Sequence, residues 1–210
     1  MHKTKIDRGS GRTLHLYSSS ARNYTEFAGL LAIDQSSAHM RWHPLRQEWV
    51  AHASKRQERT FLPTSSECPL CAMRKNGPLT DIPVDDYEIA IFSNRFPTLS
   101  PAPAPPPELG IKTRAGNGFC EVVSFSSDHN TTLATIGKDR ITLLIQALAD
   151  RCGEIYLDDD IVWALPFENR GREIGVTLDH PHGQIYALSH LPNDVRVMAH
   201  QYLAFRLVFV

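Results

Sequence analysis

The stretch 177–188 reads TLDHPHGQIYAL and places His180, His182 and Gln184 at every second position. On an extended chain alternate residues face one way, so the three share a face, with successive members about 6.6 Å apart at Cα. That is too far for one metal ion to hold both rings easily, and near enough for two linked tasks. One imidazole fixes the strand through a metal while the other faces a substrate. Imidazole is partly neutral near pH 7 and suits attack on phosphorus. Pro181 and Gly183 favour a bent backbone whose free N–H groups hold an anion. The alternative is two hydrogen-bonded histidines near a turn, the commoner case for an arbitrary His-x-His; HPHGQ is a far more specific string.

A second group of chemically active residues is Cys68-Pro-Leu-Cys71. This turn aims two sulfurs at one point, and a zinc ion completes its tetrahedron with two further thiolate or imidazole ligands. His129, in SFSSDHNTTL, and His180 are the candidates for those two places. A redox pair would need a thioredoxin-like βαβ setting, which the surrounding pattern lacks. Two unrelated thiols remain the bland alternative.

The elements that must position these residues are mostly strands. Residues 46–53, 87–94, 119–127, 161–169 and 183–189 read as strands, from alternation or short apolar runs bounded by turn residues. Residues 131–155 form the clearest helix, with Ile141, Leu144, Ile145 and Leu148 as its apolar stripe. Six of the 14 prolines fall between residues 96 and 110, which reads as an extended surface loop. Residues 1–40 read as a weakly structured N-terminal segment and 41–210 as one domain. The fold class is therefore α+β, a mostly antiparallel sheet with one long helix packed on it. After LPND, Met198, Tyr202 and Phe205 have helical spacing, and the apolar ending YLAFRLVFV points to a truncated chain or one that needs a partner surface.

Composition narrows the function classes. The chain has 210 residues, is 42% hydrophobic and carries a formal charge of −1. It can bury a sizeable core, and nothing in its charge points to nucleic acid or a membrane surface. No apolar run is long enough to span a bilayer, and the polar N-terminus lacks the apolar core of a secretory signal. Four cysteines are too few for a disulfide scaffold, which favours a reducing, cytoplasmic setting.

FENRGREIGVTLDHPHGQIYA resembles the active-site segment of the galactose-1-phosphate uridylyltransferases, within the histidine-triad superfamily. Four more blocks resemble that family in its own order: RWHPLRQEWVAHASKRQER, CPLC, IFSNRFP and FSSDHNTTL. The resemblance covers roughly residues 41–193 and implies a histidine-triad-like fold. It implies ping-pong transfer of a uridylyl group from UDP-glucose to galactose 1-phosphate, with His182 as nucleophile and Gln184 bonded to the phosphoryl oxygens. A glutamine does not titrate, and it suffices because the departing phosphate needs no full protonation. The resemblance further implies that Cys68, Cys71, His129 and His180 hold one structural zinc. Arg56 and Arg59 would face the phosphates, Asn94 and Phe96 the uridine, and Asn169 the nucleotide phosphates. Glu168 supports the site, and Thr177 stands where the family often has a phosphate-touching serine. Family members usually carry a related second half and complete the site across a dimer, so a homodimer or a complementing C-terminal half is the expected partner. Met198 stands where some members have a carboxylate for a second metal, so none is expected here.

Overall fold

The computed structural model describes residues 1–9, 11–29, 31–32, 38–53 and 62–209. Its main sheet has six strands: β1 (His2–Asp7), β2 (Thr13–Ser18), β5 (Ile89–Ser93), β7 (Gly118–Ser124), β8 (Trp163–Phe167) and β9 (His182–Leu188). They lie in the order β1-β2-β5-β7-β9-β8, and every neighbouring pair is antiparallel. A smaller sheet of β3 (His39–His43), β4 (Glu48–His52) and β6 (Thr113–Ala115) has the order β4-β3-β6. The helices are α1 (Lys138–Ile155) and α2 (Asn193–Phe209).

The main sheet is buried on both faces by different partners. On β5, Ile89 and Ile91 join Val123, Ile185 and Ala187 against Leu143, Leu144 and Ala147 of α1. Ala90 and Phe92, one step out of phase, join Leu14, Leu16 and Tyr87 against Cys68 and Leu70 of the CPLC turn. Period two on the strands thus sorts the chain into a helix-covered face and a loop-covered face. His182 and Gln184 are out of phase with Ile185 and Ala187, which puts them on the face opposite α1.

Three expectations from the sequence change here. Residues 1–40 are not weakly structured throughout, since β1 and β2 pair along their whole lengths and β2 pairs with β5. Their basic and polar residues belong to an edge hairpin tied down by charge: Lys3 Nζ lies 2.6 Å from both Asp150 and Glu154 of α1. Helix α1 starts at Lys138, not residue 131. Gly137 at φ 84 breaks the chain before it, and the Thr132–Thr135 turn closes its own hydrogen bonds. The buried face of α1 is Leu143, Leu144, Ala147 and Ile155, while Ile141 and Ile145 of the expected stripe are exposed. α2 is a second long helix, with exposed Met198, Tyr202 and Phe205. The loop over residues 96–110 carries no helix or strand.

Candidate active site and metal centre

Cys68, Cys71, His129 and His180 converge so that their ligand atoms all lie within 4.8 Å of one another. Cys71 Sγ is 3.5 Å from His129 Nδ1 and 3.5 Å from His180 Nδ1. A tetrahedron with ordinary zinc–sulfur and zinc–nitrogen bonds has sulfur–nitrogen edges of about 3.6 Å, so the donor set and its spacing fit such an ion. The His180 ring is prepared for that role from behind. Its Nε2 lies 2.8 Å from Ser126 O, a pure acceptor, so Nε2–H donates there and Nδ1 keeps the lone pair. The buried Tyr87 hydroxyl and Ser124 Oγ lie 3.0 Å and 3.1 Å from the same nitrogen. Tyr87 also reaches Leu70 O, inside the CPLC turn, at 2.7 Å. The neighbouring Cys71 thiol holds that of Cys68 well below its usual range, and Cys68 in turn, with burial, pushes Cys71 up.

His180 does not share a strand face with His182. β9 begins at His182, whose partner is Ser124, and residues 177–181 lie outside any strand. Pro181 has no N–H for a ladder, so the chain bends there and His180 turns toward the cysteines. His182 and Gln184 do share a face.

The bend sets the state of His182. Its Nδ1 lies 2.7 Å from His180 O, so Nδ1–H donates to the carbonyl and the Nε2 lone pair is left for chemistry. Burial lowers its pKa, partly offset by that backbone hydrogen bond. The ring is therefore neutral, as a nucleophile requires. Gly183 is dictated by space: a Cβ there would lie 2.6 Å from Phe167 O and 2.8 Å from Phe125 Cζ.

His182 lines three adjoining clefts. The first is walled by Leu70, Phe92, Phe96, Val122 and Leu178, with Asn94, Thr177 and Gln184 among its polar groups. The second is lined by Glu168, Asn169, Arg170 and Arg172, beside His129 and His180. The third joins Asn169 and Thr177 to Gln184. Within the first, Phe96 N–H donates to Asn94 Oδ1 at 2.9 Å, which turns the Asn94 amide nitrogen toward Gln184 Oε1 at 3.4 Å. The Gln184 amide nitrogen is thereby directed away from Asn94 as a donor.

The structure brings together ten of the twelve residues picked out from the sequence: the four cluster residues, and His182 with Gln184, Asn94, Phe96, Asn169 and Thr177 around it. Arg56 and Arg59 lie outside the described residues. Sequence reasoning missed Tyr87 and Ser124, which orient His180, and Asp81, Arg95, Arg170 and Arg172, which line the clefts. Arg170 and Arg172 follow Asn169 closely in the chain and are within reach of a charge argument. Tyr87 and Asp81 carry no local signal, because only the fold brings them in.

Among known proteins, the galactose-1-phosphate uridyl transferase N-terminal domain matches over residues 21–192. A galactose-1-phosphate uridylyltransferase of Thermotoga maritima is 38% identical over 161 residues, covering 75% of this chain and 49% of its own length. An ADP-glucose phosphorylase of Arabidopsis thaliana is 27% identical over 183 residues, covering 78% and 52%. A solved uridylyltransferase structure superposes with a TM-score of 0.61 at 25% identity, over 80% of this chain and 51% of that one. The chain spans about half the length of the curated relatives it matches.

Proposed function

Since this chain belongs to the galactose-1-phosphate uridyl transferase family through that family's N-terminal domain, we propose that it carries the nucleotidyl-transfer chemistry of a UDP-glucose:hexose-1-phosphate uridylyltransferase. The observation that carries the proposal is His182, neutral, held through Nδ1 by His180 O at 2.7 Å and set where the clefts meet. In the first half-reaction His182 Nε2 attacks the α-phosphorus of UDP-glucose. A P–N bond forms, the bond from that phosphorus to the bridging oxygen breaks, and glucose 1-phosphate leaves with the electron pair. In the second, a phosphate oxygen of galactose 1-phosphate attacks the same phosphorus, the P–N bond breaks, and UDP-galactose leaves with His182 restored. Gln184 donates to the non-bridging oxygens in both steps, and neither step needs a titrating acid.

Thr177 and Asn169, with Arg56 and Arg59, hold the phosphates; Asn94 and Phe96 hold the uridine; Glu168 supports Asn169. Zinc on Cys68, Cys71, His129 and His180 stiffens the bend before His182 and takes no part in bond making; no second metal is proposed. A homodimer, or a complementing C-terminal half, completes the hexose site. No helix among the described residues is long and apolar enough to cross a membrane, and we place the reaction in the cytoplasm.

A second reading is a nucleotide-sugar or dinucleoside polyphosphate phosphorylase with the same histidine nucleophile, and the likeness to an ADP-glucose phosphorylase supports its nucleotide-sugar form. A third is a zinc-stabilised nucleotide-binding domain without turnover. Incubation with UDP-glucose labelled at the α-phosphate separates the three. The expected result is an acid-labile label on the protein, release of glucose 1-phosphate, and neither with His182→Ala. Stronger labelling from ADP-glucose selects the phosphorylase. Folded, zinc-loaded protein that takes no label from either leaves only the binding domain.

A further inference from the structure

Asp81 lies where the first cleft is lined by Leu70, Phe92, Arg95 and Phe96. Its side chain is only 9% exposed, and its backbone N–H is tied to Pro69 O, in the CPLC turn, at 2.8 Å. Two guanidiniums flank the carboxylate, Arg12 at 4.0 Å from Oδ1 and Arg95 at 3.9 Å from Oδ2. Both are at the limit of an ion pair and beyond a hydrogen bond. They supply charge and leave the acceptor positions open. Oδ1 is shielded from bulk water and accepts no hydrogen bond among the described residues, and the buried Arg95 Nε–H is likewise without an acceptor there. A shielded acceptor with no donor is costly in a folded protein, and its place on the cleft wall offers that position to a ligand N–H.

The cleft has a direction. Gln184 contacts Asn94, Arg95 follows Asn94 in the chain, and Arg95 reaches Asp81. A nucleotide with its phosphorus at His182 therefore extends toward Asp81 with its base, between apolar walls that suit a ring. An ionised carboxylate accepts hydrogen bonds and cannot donate them, so it selects an N–H and repels phosphate. Arg95 adds a donor next to that acceptor. Together they match a base edge with an N–H beside a carbonyl oxygen. Burial pushes the Asp81 carboxyl up to about 6 while Arg95, Arg12 and Arg8 hold it down, so the group is mostly ionised at neutral pH.

We propose that Asp81 is a nucleobase-reading residue, accepting a hydrogen bond from the imide N–H of a uracil ring in the first cleft. This deepens the uridylyl-transfer reading and rests on it. The test is calorimetric titration of the zinc-loaded protein with UMP, its N3-methyl analogue and 2′-deoxy-UMP, on wild type and Asp81→Ala. Wild type is expected to bind UMP at least about tenfold more tightly than the N3-methyl analogue, the worth of a hydrogen bond to a charged group. Asp81→Ala should lose about that factor for UMP and bind the N3-methyl analogue as wild type does. Unchanged UMP affinity in Asp81→Ala overturns the proposal. So does a wild-type loss that follows the missing 2′-hydroxyl in place of the N-methyl group, a comparison that needs no variant. Wild type that binds none of the three fails the nucleotide reading as well. Labelling of His182 with no effect of Asp81 fails this proposal alone.

Discussion

His182 donates its Nδ1–H to the carbonyl oxygen of His180 across 2.7 Å, while the ring of His180 turns away into the Cys68–Cys71–His129 cluster. One bend therefore carries both jobs. The His180 ring, held among the cluster residues, fixes the peptide whose oxygen fixes the tautomer of His182. The second ligand shell should accordingly be felt at the first cleft.

Tyr87→Phe tests that coupling. The hydroxyl lies 3.0 Å from His180 Nε2 and 2.7 Å from Leu70 O, and the side chain is 1% exposed. Its loss should cost about 1–3 kcal/mol of stability and weaken zinc about 10–100-fold. Chelator competition reads the second quantity. Zinc affinity equal to that of wild type would show that Tyr87 is only packing.

Gly183→Ala should cost about 1–3 kcal/mol through overpacking, because its Cβ meets the Phe167 backbone oxygen at 2.6 Å. The adjacent His182 would shift with the strand, so labelling should fall too. Gly153→Ala is the contrast. A Cβ there meets nothing within 4 Å, and in the last turn of α1 the change should stabilise by up to about 0.5–1 kcal/mol, the helix-interior value. Urea unfolding of both variants checks the pair, and a Gly183→Ala protein as stable as wild type would contradict the packing around His182.

Acid should weaken the fold from pH 6.5 downward. His15 is 1% exposed, and burial, helped by Arg151 and Lys3 and opposed by Glu154, lowers its pKa from 6.5 to about 4. Burial and Arg114 do the same to His190, also to about 4. Both are neutral in the folded state and protonate more readily when unfolded. Their contribution is complete above pH 6.5 and is lost as pH falls from there to 4. For His15 the ceiling is about 3 kcal/mol. Asp81, raised to about 6 from its ordinary value of 3.8, has the opposite slope through that range and offsets part of the loss from the histidines. Unfolding free energies at pH 7.5 and 5.5 should differ less in His15→Leu than in wild type; an equal difference would remove His15 from the account.

Much of the site was legible because its chemistry is local in sequence. HPHGQ, CPLC and SNRF each sit within five residues. What escaped was set by packing across the sheet. The alternation of TLHLYS was hard to read because both faces of β2 are buried, Leu14 and Leu16 on one and His15 and Tyr17 on the other. On α1, Leu144 and Leu148 of the expected stripe pack on the core, while Leu143 and Ala147 face the sheet in place of Ile141 and Ile145, which face solvent. Likewise, the alternation of His180, His182 and Gln184 predicts one shared face, and Pro181 breaks it by setting the start of β9 at His182.

The β1–β2 hairpin precedes the segment that the family's N-terminal domain matches, residues 21–192, yet it shields the flank of the main sheet that carries His182. β5 reads Ile-Ala-Ile-Phe-Ser, with its first four residues buried, and β2 satisfies one of its two edges. A protein cut at residue 21 would offer that edge, apolar on both faces, to any passing strand. Residues 2–18 thus act as a guard against self-association, and Lys3, gripped by Asp150 and Glu154, is the latch that keeps the guard in place.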